Sequence, residues 1–182
     1  HVMPLIETGK VGFRSGIYMA STDELYVTVT GKGGHGAQPH QNIDPVLITA
    51  HIIVALQQIV SRNADPRLPS VLSFGKVNAN GATNVIPNEE KLEGTFRTLN
   101  EEWRNEAHRL MKKMAEGIAE SMGGSCHFDI HRGYPFLINE EKLTDNAKAL
   151  AEDYLGKENV IDLDIWMAAE DFAYYSQVTN AC

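Results

Sequence analysis

Between residues 24 and 132 the hydrophobic period of this chain switches back and forth between two residues and three to four, and that alternation restricts its fold more than any other feature. Leu25, Val27 and Val29 alternate with Tyr26, Thr28 and Thr30, the period of a strand with one buried face. Gly31, Gly33 and Gly34 end it. Residues 45–60 are apolar almost all round, and Asp44 before Pro45 has the capping and first-turn chemistry of a helix start, which predicts a well-buried helix. Val71, Leu72, Phe74 and Val77 predict a second strand closed by the turn Asn78-Ala79-Asn80-Gly81. A third strand over 91–98 puts Leu92, Gly94 and Phe96 on one face and Glu93, Thr95 and Arg97 on the other. Trp103, Ala107, Leu110, Met111, Met114 and Ile118 then recur at helical spacing, with Asn100 as the cap and Gly123-Gly124 as the terminator. Cys126, Phe128 and Ile130 alternate with His127, Asp129 and His131 as a fourth strand.

The order is βαββαβ, which predicts an α+β, ferredoxin-like domain: a four-stranded antiparallel sheet with both helices on one face. Its open face and edges invite a partner. After Gly133-Tyr134-Pro135 the pattern changes to a third helix over about 139–155, expected to turn Leu143, Ala147, Leu150 and Ala151 inward, followed by a short acidic stretch. Residues 1–23 and 133–182 thus read as strips of a second domain into which 24–132 is inserted. The chain opens on His1 and stops at Cys182 just past a promising Glu170-Asp171 segment, so it is expected to be a piece of something longer.

Composition narrows the function. With 43% hydrophobic and 22% charged residues the chain has the balance of a packed globular protein, which sets aside disordered and fibrous readings. A formal charge of −8 leaves no basic face for nucleic acid. No uninterrupted apolar run approaches the roughly 18 residues of a membrane span, and residues 1–20 lack a basic and apolar leader. Cys126 and Cys182 are unclustered, which indicates neither a disulfide framework nor a thiolate metal site. The expectation is a soluble, cytoplasmic protein with no membrane or nucleic-acid partner.

Three stretches carry candidate chemistry. In Gly31-Lys32-Gly33-Gly34-His35-Gly36-Ala37-Gln38-Pro39-His40 the glycines let the backbone approach a ligand and present His35 from a loop, although a glycine-rich turn that merely holds histidines fits the spacing as well. Asn84 can both donate and accept, and Arg97 supplies the planar fork that grips a carboxylate, the alternative being a solvated surface arginine. His1 reads as a terminal histidine, His51 as a satisfied core or interface histidine, and His127 with His131 as surface. Glu170-Asp171 reads as a helix cap.

Taken in order, His1-Val2 with Pro4, Arg14-Ser15-Gly16, Gly31-Lys32-Gly33-Gly34-His35-Gly36-Ala37, Ile43-Asp44-Pro45, Asn84-Val85-Ile86-Pro87, Gly94-Thr95-Phe96-Arg97-Thr98, Gly133-Tyr134-Pro135 and Ala169-Glu170-Asp171-Phe172 resemble the metal-dependent aminoacylase and carboxypeptidase family of zinc metallopeptidases. The similar branch holds hippurate hydrolase, indole-acetyl-amino-acid hydrolase and N-acetyldiaminopimelate deacetylase. The resemblance implies a binuclear hydrolase of N-acyl amino acids or small peptides, with zinc the first expectation and manganese, cobalt or nickel its alternatives. Two metals would activate a bridging water while a glutamate moves its proton. The inserted domain would be a lid that forms a homodimer. By the same resemblance His1 is a metal ligand, His35 stabilises the oxyanion in the partner subunit's site, and Asn84 and Arg97 hold the substrate carboxylate. The remaining ligands and the general-base glutamate have no match here, so the chain alone is expected to be inactive and to hold no metal well. The reading from another class is a non-catalytic dimerisation or carboxylate-binding module.

Overall fold

The computed structural model describes residues 2–182. Contacts divide them into two compact units, Thr22–Gly133 and, separately, Tyr134–Cys182 together with the residues before Thr22. In chain order the strands and helices begin with β1 (Val11–Phe13), β2 (Gly16–Met19), β3 (Asp23–Thr30), β4 (Gly34–His35), α1 (Pro45–Gln58), β5 (Ser70–Ala79) and β6 (Val85–Ile86). They continue with β7 (Glu89–Thr98), α2 (Glu101–Ser121), β8 (Ser125–Arg132), β9 (Leu137–Asn139), α3 (Glu141–Leu155) and β10 (Val160–Asp162).

The larger unit is built on a four-stranded sheet in the order β5-β7-β3-β8, with every neighbouring pair antiparallel. Its register follows from the two-residue period: Val27 of β3 lies opposite Leu92 of β7 and Phe128 of β8, so the apolar positions of three strands share one face. Onto that face pack Ile48, Ile52 and Leu56 of α1 and Ala107, Met111 and Ala115 of α2, all buried with Leu25, Val29 and Phe96. Each large side chain so buried contributes roughly 1.5–3 kcal/mol. The helix ends are as the sequence predicts. The Asp44 carboxylate accepts from Val46 and Leu47, Asn100 accepts from Trp103 at 2.8 Å, and Gly123 takes the left-handed φ of 83° that stops α2.

Two readings of this unit need correction. α1 is not buried all round: Leu47 is 52% and Val54 74% exposed, and His51 is exposed beside them. A helix lying on a sheet can bury only one side. With the π turn Ile59–Asn63 it forms an apolar helix, Pro45–Asn63, long enough by length and composition to cross a membrane, but its Ile48, Ile52, Leu56 and Ile59 are committed to the sheet. β5 runs ten residues rather than stopping at Val77, and a register shift between Phe74 and Lys76 absorbs its extra length.

In the smaller unit β1 pairs in parallel with β10, β2 pairs antiparallel with β9, and Met19, Leu137 and Ala173 form a minor core. Here α3 departs from expectation: Leu150 is 70% and Leu143 40% exposed, and Thr144 is its buried residue. Three-residue strands offer too little surface to cover an apolar helix face.

Polar chemistry is buried at both ends of the large sheet. Where the chain enters and leaves this unit, the Arg104 guanidinium donates to both Asp23 carboxylate oxygens at 2.9 and 2.7 Å, to the Thr22 carbonyl at 2.8 Å and to the Gly133 carbonyl at 3.2 Å. Glu101 takes its remaining donor at 2.9 Å, and His108 lies 2.6 Å from Asp23. Burial pushes the Asp23 carboxyl up, but the bonds and charges of His108 and Arg104 outweigh it and hold it below the ordinary carboxylate range. At the far end Glu90 is buried in β7. Burial raises its carboxyl above the ordinary range; Thr49 is near enough to oppose this in part and the Asp44 charge reinforces it. Among the described residues neither Glu90 Oε2 nor Thr49 Oγ1 completes a hydrogen bond.

Arg104→Met should leave the buried Asp23 carboxylate with His108 as its remaining side-chain partner and one oxygen unpaired, and lower stability in urea denaturation by about 3–5 kcal/mol; Arg104→Lys should not restore it because lysine lacks the fork. For Glu90 the raised folded pKa means that wild-type stability is full below the ordinary value of 4.5 and is lost as pH climbs through the folded pKa. Glu90→Gln cannot ionise, so its melting temperature relative to wild type should rise between pH 4 and pH 8. A difference that does not change with pH would contradict this origin.

Candidate functional site

His35 stands at the end of a glycine-rich segment held between two others. On one side β4 pairs antiparallel with β6, Gly34 opposite Ile86 and His35 opposite Val85, with the Gly31 amide bonded to Asn88 and the Gly36 amide to Asn84, each at 2.9 Å. On the other side Lys32 and Ile43 exchange backbone bonds at 2.8 and 2.9 Å. The glycines stand where these neighbours press closest. A Cβ at Gly33 would lie 2.4 Å from the Ile86 carbonyl oxygen, and one at Gly34 would lie 2.3 Å from Asn42 Oδ1. Neither residue has a left-handed φ. Their small size therefore admits the protein's own backbone, where the sequence had suggested room for a ligand.

The result is a rigid platform that carries an exposed imidazole. His35 begins a tight turn closed by the Gln38 amide on the His35 carbonyl at 2.9 Å; the Ala37 amide donates to its Nδ1 at 3.1 Å, and the Asn42 side chain donates to its carbonyl at 3.0 Å. A side chain accepting from the amide two residues on is the local device that asparagine uses in turns. Asn88 adds a brace, accepting from the Gly33 amide at 3.0 Å. Asn42 and Asn88 went unremarked in the sequence because their value depends on which segments lie alongside.

The expected site residues are not all together. His35 and Asn84 are brought side by side through β4 and β6. Arg97 is half-buried near the opposite end of β7, on the face away from the helices with Glu93 and Thr95. Eight residue steps separate it from Glu89 at the loop end, roughly 27 Å at ~3.4 Å per residue. Within one copy, Asn84 and Arg97 cannot grip the same carboxylate. A groove of about 610 Å³ beside the loop is lined by Gly33, Asn78, Asn80, Ile86, Glu89 and Lys91 rather than by these three.

The metal ligand expected at His1 lies outside the described residues. Among those described, no group of three or more His, Cys, Asp or Glu could hold a metal ion. The described residues therefore do not by themselves fit a binuclear centre. His127 and His131 are exposed on β8; His131 is taken up by Asp129 at 2.9 Å and rests on the Tyr26 ring at 4.8 Å. Burial, aided by the Glu116 charge, pushes the Cys126 thiol up to about 11, which leaves it unreactive. Glu170 precedes a short 3₁₀ segment, Asp171–Gln177, without the side-chain capping bond expected of it.

Residues 22–122 match the peptidase dimerisation domain of the M20 family. The chain belongs to the M20 peptidase family. This M20 chain is 39% identical over 175 residues to the N-acetyl-L-cysteine deacetylase of Bacillus subtilis, covering 96% of the chain and 42% of that relative. It is 38% identical over 180 residues to the N-acetyldiaminopimelate deacetylase of Enterococcus faecalis, covering 96% and 46%. The chain thus spans a little under half the length of these curated relatives. Among solved structures, a proposed aminohydrolase of methicillin-resistant Staphylococcus aureus superposes with a TM-score of 0.87 at 31% identity, covering 100% of this chain and 47% of that one. A dinuclear metal-binding M20 peptidase of Bacillus subtilis gives 0.72 at 30% identity, covering 97% and 43%.

Gly33→Ala should force β4 and β6 apart. The Gly36 amide should lose protection from hydrogen exchange, and stability should fall by about 1–3 kcal/mol, the range for an overpacked site. Unchanged protection would mean that the platform yields at no cost.

Proposed function

We propose that this M20 chain is the lid and dimerisation portion, with flanking strips of the catalytic domain, of a metal-dependent amidohydrolase that cleaves the amide bond of N-acyl amino acids. The observation that carries the reading is the split placement of the candidate residues. An exposed, rigidly mounted His35 with Asn84 sits at one end of the sheet and Arg97 at the other. One small substrate cannot span both ends, so a complete set of lid residues is drawn from two copies. His35 would then serve the partner subunit's site.

The surfaces for such pairing are present. The exposed side of α1 carries Val46, Leu47 and Val54, and β5 is an edge strand of the sheet. An apolar stripe next to unpaired backbone groups suits a self-complementary interface. The substrates for which the relatives are named, N-acetyl-L-cysteine and N-acetyldiaminopimelate, favour small N-acyl amino acids over large peptides.

The residues of this chain divide the work as follows. His35 donates a hydrogen bond to the oxygen that becomes negative as the amide carbon turns tetrahedral. Arg97 offers its fork to the amino-acid carboxylate, and Asn84 supplies a donor and an acceptor beside His35. Two divalent ions, zinc first among them, would be held by parts of the longer protein together with His1, and the setting would be cytoplasmic. The 182-residue chain alone is expected to hydrolyse nothing.

In the full-length protein His35→Ala should lower kcat by roughly 10²–10³ with little change in KM, because an oxyanion donor acts in the transition state. Arg97→Ala should chiefly raise KM. Mixing the His35→Ala protein with one inactivated at a metal ligand should restore activity, since exchange pairs a sound lid histidine with a sound centre. No rescue, with heterodimers demonstrated by a mass tag, would overturn the assignment of His35 to the partner's site.

A further inference from the structure

The bond between the Ala37 amide and His35 Nδ1 decides more than the direction of the ring. A backbone N–H can only donate, so Nδ1 at 3.1 Å must present its lone pair, and the proton of the neutral ring is then on Nε2. Resting on the reading of His35 as the oxyanion donor, we propose that Asn42 is a positioning residue that, through the 35–38 turn, holds His35 as the Nε2-protonated tautomer.

Asn42 is wedged between the turn and the glycine strand. Its amide nitrogen donates to the His35 carbonyl at 3.0 Å, while its Oδ1 sits where a Cβ on Gly34 would be 2.3 Å away. Its own backbone is fixed by a bond to the Pro39 carbonyl at 3.2 Å and by the adjoining Lys32 and Ile43 pair. The His35 carbonyl thus takes two donors, the Gln38 amide that closes the turn and the Asn42 side chain. Together they set the turn's pitch and aim the Ala37 amide at Nδ1. If the turn opens, Nδ1 loses its donor and the ring is free to carry the proton on either nitrogen. The Nδ1-protonated tautomer would turn a lone pair toward an oxygen that is becoming negative, which opposes the reaction.

Asn42→Asp keeps the shape of the side chain but replaces the donor with a charged acceptor, and Asn42→Ala removes the donor without adding charge, so an effect common to both reports the lost hydrogen bond. In the full-length enzyme Asn42→Asp and Asn42→Ala should each lower kcat roughly three- to tenfold, the worth of about one hydrogen bond, with KM within about twofold of wild type. In the ¹⁵N-labelled 182-residue chain, the ring nitrogens of His35 should show a protonated Nε2 and a bare Nδ1 in wild type, and a mixture of tautomers in Asn42→Asp. A wild-type ring with its proton on Nδ1 overturns the proposal whether or not the variants fold. So does unaltered kcat in both variants. A wild-type kcat in His35→Ala would instead remove the oxyanion reading and leave the tautomer assignment standing.

Discussion

One-sided burial of the four-stranded sheet is the constraint on which the rest of this molecule depends. Leu25, Val27, Val29, Leu92, Phe96 and Phe128 face the same way, and α1 with α2 must cover them. That decision leaves the other face to Arg97, Thr95 and Glu93, and it turns the far side of α1 outward with Leu47 and Val54 on it. Where a ligand or a second copy meets this unit is therefore set by which surface the core has already claimed.

At the two ends of the sheet the same core meets polar groups, and the outcomes differ. Asp23 is buried but satisfied: Arg104 fills both its oxygens and ties the Thr22 and Gly133 carbonyls to α2. Such an arrangement stabilises mainly by geometry, since the cost of desolvating two charges offsets much of their attraction. Glu90 is buried without completing its bonds, and its carboxyl is pushed upward as a result. The end with the unsatisfied carboxyl oxygen is the one that carries His35 and Asn84.

The His35 platform shows how a short glycine run can make a rigid element rather than a loose one. Gly33 and Gly34 allow the Ile86 carbonyl and the Asn42 side chain to close on the strand from two sides. The imidazole at its end inherits that rigidity through the Ala37 and Gln38 amides. Preorganised donors of this kind need not reorganise when charge develops, which is the physical advantage of mounting an imidazole on a braced turn.

Much of this was legible in the amino-acid order. The two periods specified four strands and two helices, Asp44 and Asn100 marked the helix starts, and Gly123 the stop. The ordered motifs also pointed to the family that residues 22–122 then matched. Periodicity reports only what lies within a few residues along the chain. It could not reveal that Arg104, 81 residues from Asp23, closes on it, or that Asn42 and Asn88 brace His35. Nor could it show that α1 and α3 leave apolar sides uncovered, because exposure depends on how much sheet is available beneath a helix. The sequence by itself determined which residues could do chemistry and which faces would be apolar. Tertiary structure alone decided that His35 and Asn84 share one end of the sheet, because the pairing of β4 with β6, not sequence spacing, brings them together, while Arg97 keeps the far end of β7.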